Sequence, residues 1–386
     1  MSLRLLVTAR DAGATFNLIE IARAALRDGD FSLSIHAQSP ALEYLREAGL
    51  DAIDVALPPA SDAGDGAARA LLEYARAVQL SVQPDALLAG LSTPGDGGID
   101  EAALATAVAP SFVMQDFWGE ANGFFGRLAD CYLGLDEHAV RLTRQRHGVD
   151  GAVVGSPRHA AYATLDVEEL RARSRTELGL AEGVDVFGLF GQALHRLPGY
   201  QMTVEAWAAA LRRLPGPLAA VYRPHPRETD ADAAATLALV RGSGLECRLV
   251  RQRTVEETLA ACDVVCSAFS LCSYDAAYLN RLATRPLITP VTLLFDQQVR
   301  DYCGEHIHFE DFPYLQGRLA LSVRRVEELG ERLQSARHGH LPESVWRAAR
   351  GIPDPSGATA RALEVIRRRV SGQRADAPDV GPAEDV

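Results

Sequence analysis

Short apolar runs and amphipathic segments alternate along the first half of this chain. Apolar strands are predicted at 3–8, 32–37, 51–55, 86–91, 111–114 and 131–135. Segments with helical periodicity lie between them, such as 16–26, which leaves 9–15 as the first βα turn and 61–66 as a loose Gly/Asp segment. Strands that alternate with helices in this way indicate a parallel, doubly wound sheet.

The second half repeats the pattern. Strands are predicted at 184–190, 218–222, 246–250, 263–266 and 286–289, with helices at 203–214, 231–242 and 254–261. The expected fold class is therefore α/β, with two Rossmann-like, doubly wound domains that face a central cleft. The predicted divisions are an N-terminal domain, a C-terminal domain, a C-terminal helix that returns to the first domain, and a disordered tail rich in Pro, Ala and Asp: 1–158, 159–350, 351–371 and 372–386.

Composition narrows the class of protein. At 386 residues, 47% hydrophobic and 23% charged, the chain has the size of two domains and the balance of a soluble globular protein. No apolar run approaches the roughly 20 residues that span a bilayer, and the first residues enter a strand without a signal-peptide pattern. We expect a cytoplasmic protein, with peripheral membrane association left open. A net charge of −12 argues against a nucleic-acid partner.

The cysteines and histidines do not form a metal-binding pattern. The six cysteines include no CxxC pair, and Cys262, Cys266 and Cys272 stand among apolar neighbours, so we expect small buried residues. His306 and His308 have a ligand-like spacing, but no third ligand is near, and an exposed strand face is expected there. No metal site is predicted.

Candidate chemistry in the second half lies directly after the predicted strands. The turns after three of them contain Gly191 and Gln192, then Arg223 and His225 in an Arg-Pro-His-Pro run, then a hydroxyl-rich segment with Ser267, Ser270 and Ser273. The carboxyl ends of parallel strands share one edge, where ligands collect. A hydroxyl-rich turn that opens a helix also presents backbone N–H groups to a phosphate. Ordinary helix capping by Ser273 and Asp275 is the alternative, and His195 and Arg196 either reach the phosphates or form a solvated loop pair.

Two carboxylates stand out in the first half. Asp11 lies in the first βα turn, and Asp116 comes shortly after the strand at 111–114. A carboxylate in such a position can act as a general base, although a solvated turn acid is the commoner case. The first turn has only one glycine and does not match GxGxxG, so a dinucleotide site is not predicted.

Two short motifs carry a resemblance to known families. The run RPHP at 223–226, together with SAFSLCSYDAAYL at 267–279, resembles the paired motifs of polysialyltransferases, capsule Kdo transferases and CDP-glycerol glycerophosphotransferases, which have the GT-B fold. This resemblance implies that His225 and Ser270 or Ser273 hold the phosphates of a cytidine-activated donor. The acidic Asp/Glu-Asp-Gly context of those families is not matched at Asp65, which Gly64 precedes.

A second resemblance overlaps the first. The run RPLITPVTLLFDQQ at 285–298 is similar to the end of the donor-binding signature of UDP-sugar glycosyltransferases, which implies that Asp296 and Gln297 contact sugar hydroxyls. The phosphate-binding His-Cys-Gly run of that family has no counterpart at 265–268. The expected donor is therefore CMP-, CDP- or UDP-linked, with no further cofactor.

Three functions compete at this point. The first is a metal-independent glycosyltransferase that moves a sugar or related group to a glycan or small-molecule hydroxyl, in cell-surface polysaccharide or natural-product biosynthesis. The second is a non-hydrolysing UDP-sugar 2-epimerase, a family of the same fold whose Arg-rich motif Arg227 and Glu228 echo. The third is a non-catalytic nucleotide-sugar binding protein. The sequence does not indicate an oligomeric state.

Overall fold

The computed structural model describes residues 2–93, 95–307, 312–337 and 341–372, and its contacts divide the chain into two compact units. Unit 1 comprises Met1–Ala163 and the segment from Pro353 onwards, and unit 2 comprises Thr164–Ile352. The predicted divisions at 158 and 350 fall a few residues earlier. The predicted tail, apart from Gly372, lies outside the described residues.

Unit 1 is built on a seven-stranded sheet with the order β3-β2-β1-β4-β5-β6-β7, in which every pairing is parallel. Its strands are β1 (Leu3–Ala9), β2 (Phe31–Ala37), β3 (Ala52–Asp54), β4 (Ala86–Gly90), β5 (Ser111–Met114), β6 (Cys131–Gly134) and β7 (Gly151–Val153). Its helices are α1 (Ala12–Asp28), α2 (Ala41–Glu47), α3 (Ala60–Val82), α4 (Ile99–Ala105), α5 (Glu137–His147) and, near the C-terminus, α15 (Ala358–Val370). Two short 3-10 helices, Pro157–Thr164 and Pro355–Gly357, complete the regular structure at the borders of this unit.

Unit 2 contains a six-stranded parallel sheet with the order β10-β9-β8-β11-β12-β13. Its strands are β8 (Asp185–Phe190), β9 (Leu218–Arg223), β10 (Cys247–Leu249), β11 (Val264–Ser267), β12 (Thr289–Leu293) and β13 (Leu321–Val323). Its helices are α6 (Val167–Glu177), α7 (Pro198–Leu211), α8 (Asp230–Gly242), α9 (Val255–Ala261), α10 (Cys272–Leu282), α11 (Gln297–Ile307), α12 (Pro313–Gln316), α13 (Leu329–Ser335) and α14 (Glu343–Arg350), with a 3-10 turn at Val326–Glu328.

The predicted fold class of two Rossmann-like, doubly wound domains is confirmed. Continuous apolar runs become central strands because helices cover both faces of a parallel sheet, and Ala86–Gly90 is buried at every position. That the two units face a central cleft stays a prediction. Among the described residues, none of the helices combines the length and apolar character that crossing a bilayer requires.

Three predicted segments were wrong in detail. The helix α1 begins at Ala12 rather than Phe16, because Asp11 takes the N-cap position. The segment 61–66 belongs to α3 and is bent at Gly64, whose φ is 70°, so its Gly/Asp composition marks a kink and not a loop. The strand predicted at 286–289 is displaced towards the C-terminus and forms β12 at Thr289–Leu293.

Candidate functional site

In both units the order of the strands reverses direction next to the first strand. In unit 2 this switch lies between β8 and β11, and in unit 1 it lies between β1 and β4. Ligands of open α/β sheets bind outside the carboxyl ends of the strands at such a point. The connections that follow the two neighbouring strands run to opposite faces of the sheet there and leave a crevice between them. The candidate residues of each unit lie at this edge.

The turn after β9 holds His225 in one protonation state. Its backbone N–H donates to Glu228 Oε2 at 2.5 Å, and its ring Nδ1 accepts the backbone N–H of Arg227 at 3.1 Å. Burial, and then the charge of Arg227, lower the pKa of His225 to about 4. The imidazole is therefore neutral near pH 7, and the proton must reside on Nε2 because Nδ1 is an acceptor. His225 presents one N–H donor at the sheet edge.

The turn after β8 is fixed to the turns on both sides of it. The Gly191 N–H donates to the carbonyl of Arg223 at 2.8 Å, which ties the turn to β9. The side chain of Gln192 contacts the turn after β11, where its Oε1 accepts the backbone N–H of Phe269 at 2.7 Å. Its own N–H donates to the Tyr200 hydroxyl at 3.1 Å. The Gln192 side-chain oxygen thus supports the turn after β11.

The turn after β11 leads directly into α10. Ser267 Oγ accepts the N–H of Ser270, and Ser270 Oγ accepts the N–H of Cys272, both at 3.2 Å. Ser273 is fully buried in the first turn of α10, and its hydroxyl has no hydrogen-bond partner among the described residues. A buried hydroxyl without a partner costs free energy, so this position at a helix N-terminus suits a ligand oxygen.

Three of the predicted donor-binding side chains have other partners. One guanidinium nitrogen of Arg223 donates to the carbonyl of Arg253 at 2.6 Å and to the Thr258 hydroxyl at 3.1 Å, so it links β9 to α9. Asp296 Oδ1 accepts the N–H groups of Gln298 and Val299 at 2.9 and 3.3 Å, which is the geometry of an N-cap.

Gln297 is exposed and bonds along α11 to Asp301 and Arg300, both at 2.5 Å. The next residue, Gln298, reaches back to the Gly199 N–H at 2.7 Å. The sequence alone does not show which of the two adjacent glutamines contacts the rest of unit 2, because adjacent helical residues point about 100° apart and the direction of each depends on how the helix packs.

In unit 1, the two predicted carboxylates lie together at the start of α1. Asp11 Oδ2 accepts both the backbone N–H and the hydroxyl of Thr93, each at 2.6 Å, and its other oxygen is 3.2 Å from Arg10. Asp116 receives no hydrogen bond from a described side chain. Burial and the charge of Asp11 raise the pKa of Asp116 to about 7, opposed by Arg158. A carboxylate with such a pKa can accept a proton near neutral pH.

A second pair of acidic residues in unit 1, Asp100 and Glu101 at the start of α4, was not predicted from the sequence. Asp100 accepts hydrogen bonds from the Thr8 and Ser92 hydroxyls at 2.6 and 2.5 Å, and burial raises its pKa to about 6. Burial and the neighbouring charge of Asp100 raise the pKa of Glu101 to about 7. Acidic residues in the first turn of a helix are common, so nothing in the sequence distinguished this pair from ordinary helix-start residues.

The other histidines and cysteines considered in the sequence do not form a candidate catalytic or metal-binding group among the described residues. His195 Nδ1 lies 3.3 Å from the Thr236 hydroxyl. Cys262 and Cys266 are buried as predicted, whereas Cys272 is half-buried. The exposed strand predicted at His306 was wrong because this residue belongs to α11, and His308 lies outside the described residues. Across the part of the chain that the structure describes, no group of three or more His, Cys, Asp or Glu is arranged to hold a metal ion.

Solved structures show which fold this arrangement belongs to. MnaA of Staphylococcus aureus, solved with UDP, superposes with a TM-score of 0.66 at 12% identity over 98% of this chain and 100% of its own. The UDP-GlcNAc 2-epimerase of Neisseria meningitidis, bound to UDP-GlcNAc, gives 0.63 at 11% over 96% and 100%. MurG of Acinetobacter baumannii gives 0.62 at 14% over 95% and 99%. The chain has a GT-B-like fold.

The likeness covers both units and shows the fold alone, since the identities are low. Neither the protein-family models nor the curated proteins yield a match to this sequence. The resemblance to the polysialyltransferase, Kdo transferase and glycerophosphotransferase families therefore stays a prediction, carried by the short motifs around His225 and Ser270.

Proposed function

We propose that this protein is an enzyme that binds a nucleotide-activated sugar on unit 2 and transfers the sugar to a hydroxyl of an acceptor, which is a glycan or a small molecule. The observation that carries the proposal is a pair of donors at the unit 2 edge, neither of which has a hydrogen-bond partner in the described part of the chain. His225 offers a neutral Nε2–H, and the buried hydroxyl of Ser273 has no partner among the described residues. The turns that carry them follow β9 and β11 of one sheet, at the edge where ligands of such sheets bind.

These donors suit the departing group. When the bond between the sugar and the phosphate oxygen breaks, negative charge develops on that phosphate. Fixed N–H and O–H donors and the positive end of α10 stabilise this charge without any proton transfer. A histidine with a pKa of about 4 and a protonated Nε2 is a hydrogen-bond donor near pH 7 and not a base.

We propose Asp116 as the base. Asp116 accepts the proton of the acceptor hydroxyl while the acceptor oxygen forms its bond to the anomeric carbon, and the nucleotide leaves with the electron pair of the broken bond. The raised pKa of Asp116 makes it a stronger base than an ordinary carboxylate. A single displacement of this kind inverts the anomeric centre.

Epimerisation of a UDP-sugar is the second candidate. Two observations favour it: a UDP-GlcNAc 2-epimerase is among the structures that share the fold, and unit 1 holds several carboxylates with raised pKa values. Such acids can remove and return a proton at carbon.

Product analysis separates the candidates. The protein is incubated with UDP-GlcNAc, and with CMP- and CDP-linked donors, with and without an acceptor panel. Transfer predicts nucleotide release that depends on acceptor, together with a glycosylated product. A C2-epimerised nucleotide sugar formed without acceptor would instead establish the epimerase, and binding without turnover would indicate a non-catalytic binding protein.

A further inference from the structure

Glu228 is a buried carboxylate at the unit 2 edge that has no role in the chemistry above. It is 5% exposed, and burial raises its pKa. Its Oε1 accepts the Tyr222 hydroxyl at 2.6 Å, and its Oε2 accepts the His225 N–H at 2.5 Å. A buried carboxylate that accepts a hydrogen bond on each oxygen holds both partners in place.

The same carboxylate also packs against the turn after β8. An ideal Cβ at Gly191 would stand 2.3 Å from Glu228 Oε2, so the absence of a side chain at position 191 makes room for it. The turns after β8 and β9 therefore meet at one carboxylate. Gln192 extends the connection by accepting the Phe269 N–H at 2.7 Å, in the turn after β11.

We propose that Glu228 is a positioning residue for the donor site: it sets the orientation of His225 by holding its backbone N–H, and it fixes this turn against Gly191. The inference rests on the proposed function, because it concerns how the donor-binding histidine is aimed. Without the carboxylate, the His225 N–H loses its acceptor and the ring loses its fixed place beside the Arg227 N–H. Nε2 would then no longer point consistently at a phosphate.

The geometry gives a test by substitution. Glu228→Ala removes both contacts and is expected to weaken binding of the tightest ligand among UDP, CDP and CMP about tenfold, since a buried N–H without an acceptor is costly. Glu228→Gln keeps the shape and one oxygen for the His225 N–H. The Tyr222 hydroxyl can rotate to accept from the new amide, so binding is expected to stay within about threefold of the wild type.

A double substitution tests whether Gly191 and Glu228 act together. Gly191→Ala alone places a Cβ against the carboxylate and is expected to weaken binding about tenfold. In the Glu228→Ala background the carboxylate is gone and the nearest remaining atom is Tyr222 Cε2, 3.1 Å from the added Cβ, so Gly191→Ala is expected to change binding by clearly less than the tenfold it costs in the wild type, because interacting sites are not additive. Fully additive losses would contradict the shared contact.

Glu168→Ala is the matched control. Glu168, in α6, also accepts a backbone N–H and a hydroxyl, both from Thr284, at 2.9 and 2.6 Å, and Thr284 lies beyond the C-terminal end of α10. Its loss removes the same kind of contact away from the candidate site, and nucleotide affinity is expected to stay unchanged.

A spectroscopic measurement tests positioning independently of any nucleotide. In protein labelled with ¹⁵N-histidine, the ring nitrogens of His225, assigned by difference with His225→Gln, should show a neutral Nε2–H tautomer near pH 7. Glu228→Ala is expected to turn this into a mixture of tautomers, while Glu228→Gln and Glu168→Ala leave it unchanged. An unchanged tautomer in Glu228→Ala would overturn the inference. If the wild type binds none of the nucleotides but the tautomer responds as expected, the proposed function fails and the positioning role of Glu228 stands.

Discussion

The carboxylate of Asp116 occupies the space that a side chain at Gly13 would fill: an ideal Cβ there would stand 2.0 Å from Asp116 Oδ2. Gly13 is the second residue of α1, so the carboxylate lies against the first turn of a helix. A helix N-terminus favours the ionised form, yet burial and Asp11 raise the pKa to about 7. The absence of a side chain at position 13 therefore makes room for a carboxylate that can take up a proton near neutral pH.

Gly13→Ala should separate activity from stability. Alanine favours a helix over glycine by about 1 kcal/mol, but its Cβ would displace the Asp116 carboxylate. We expect at least a tenfold loss of kcat with a melting temperature no more than a few degrees lower. Gly66→Ala in α3 is the matched control, because among the described residues no atom outside its chain neighbours and the nearby backbone of its own helix lies within 4 Å of the added Cβ. Equal turnover in the two variants would argue against a catalytic Asp116.

The pH profile should reveal the base. Asp116 must be ionised to accept a proton, so kcat/KM is expected to rise with pH through about 7 and to level off above it. The charge of Asp11 raises the pKa of Asp116, so Asp11→Asn should move this rise to lower pH. Asp116→Asn should lose the rise together with most of the activity. A rise that stays in place in Asp11→Asn would contradict the assignment.

Ser273→Ala tests the buried hydroxyl of the phosphate site. The hydroxyl has no partner in the described part of the chain, so its removal should leave the free energy of unfolding unchanged or raise it by up to about 1 kcal/mol. Nucleotide affinity should fall about tenfold if the hydroxyl donates to a phosphate. Ser174→Ala is the matched control, since this hydroxyl in α6 is equally buried and, within the same described residues, equally without a partner. Affinity that is equal in the two variants would remove Ser273 from the site.

His225→Ala should lose at least about 100-fold in kcat/KM while the fold survives, the usual effect of removing one donor to a developing charge. His225→Gln retains an N–H donor and should recover part of this loss. Because the imidazole is neutral well above its pKa of about 4, nucleotide affinity should vary little between pH 6 and 8 through this residue. Near wild-type turnover in His225→Ala would exclude its role.

The sequence predicted the parallel, doubly wound sheets because a buried parallel strand needs a continuous apolar run and each crossover needs a helix. It also placed His225 and the serine turn correctly after strands of one sheet, since chain order and strand order together determine which residues leave each strand end. The order of strands and helices, and the residues that follow each strand, depend on the local pattern of apolar and polar residues.

Long-range partners could not be predicted in the same way. That Arg223 bonds to the Arg253 carbonyl, or that Gln192 supports Phe269, depends on side-chain directions set by packing. The pair Asp100 and Glu101 looked like an ordinary acidic helix start, and only burial beside Arg10 sets it apart. Polar residues with a structural use and those with a chemical use have the same appearance in a sequence.

The proposed function requires that unit 2 binds a nucleotide through His225 and the turn before α10. Thermal unfolding of the wild type and of His225→Ala in the presence of CMP, CDP, UDP, GDP and dTDP measures this binding. A ligand present at about 100 times its Kd stabilises the folded state by about 2.7 kcal/mol. We expect one cytidine or uridine nucleotide to raise the melting temperature of the wild type, with most of the shift lost in His225→Ala. No shift with any of the five nucleotides, or a shift that His225→Ala retains in full, would show that unit 2 does not bind a nucleotide through His225.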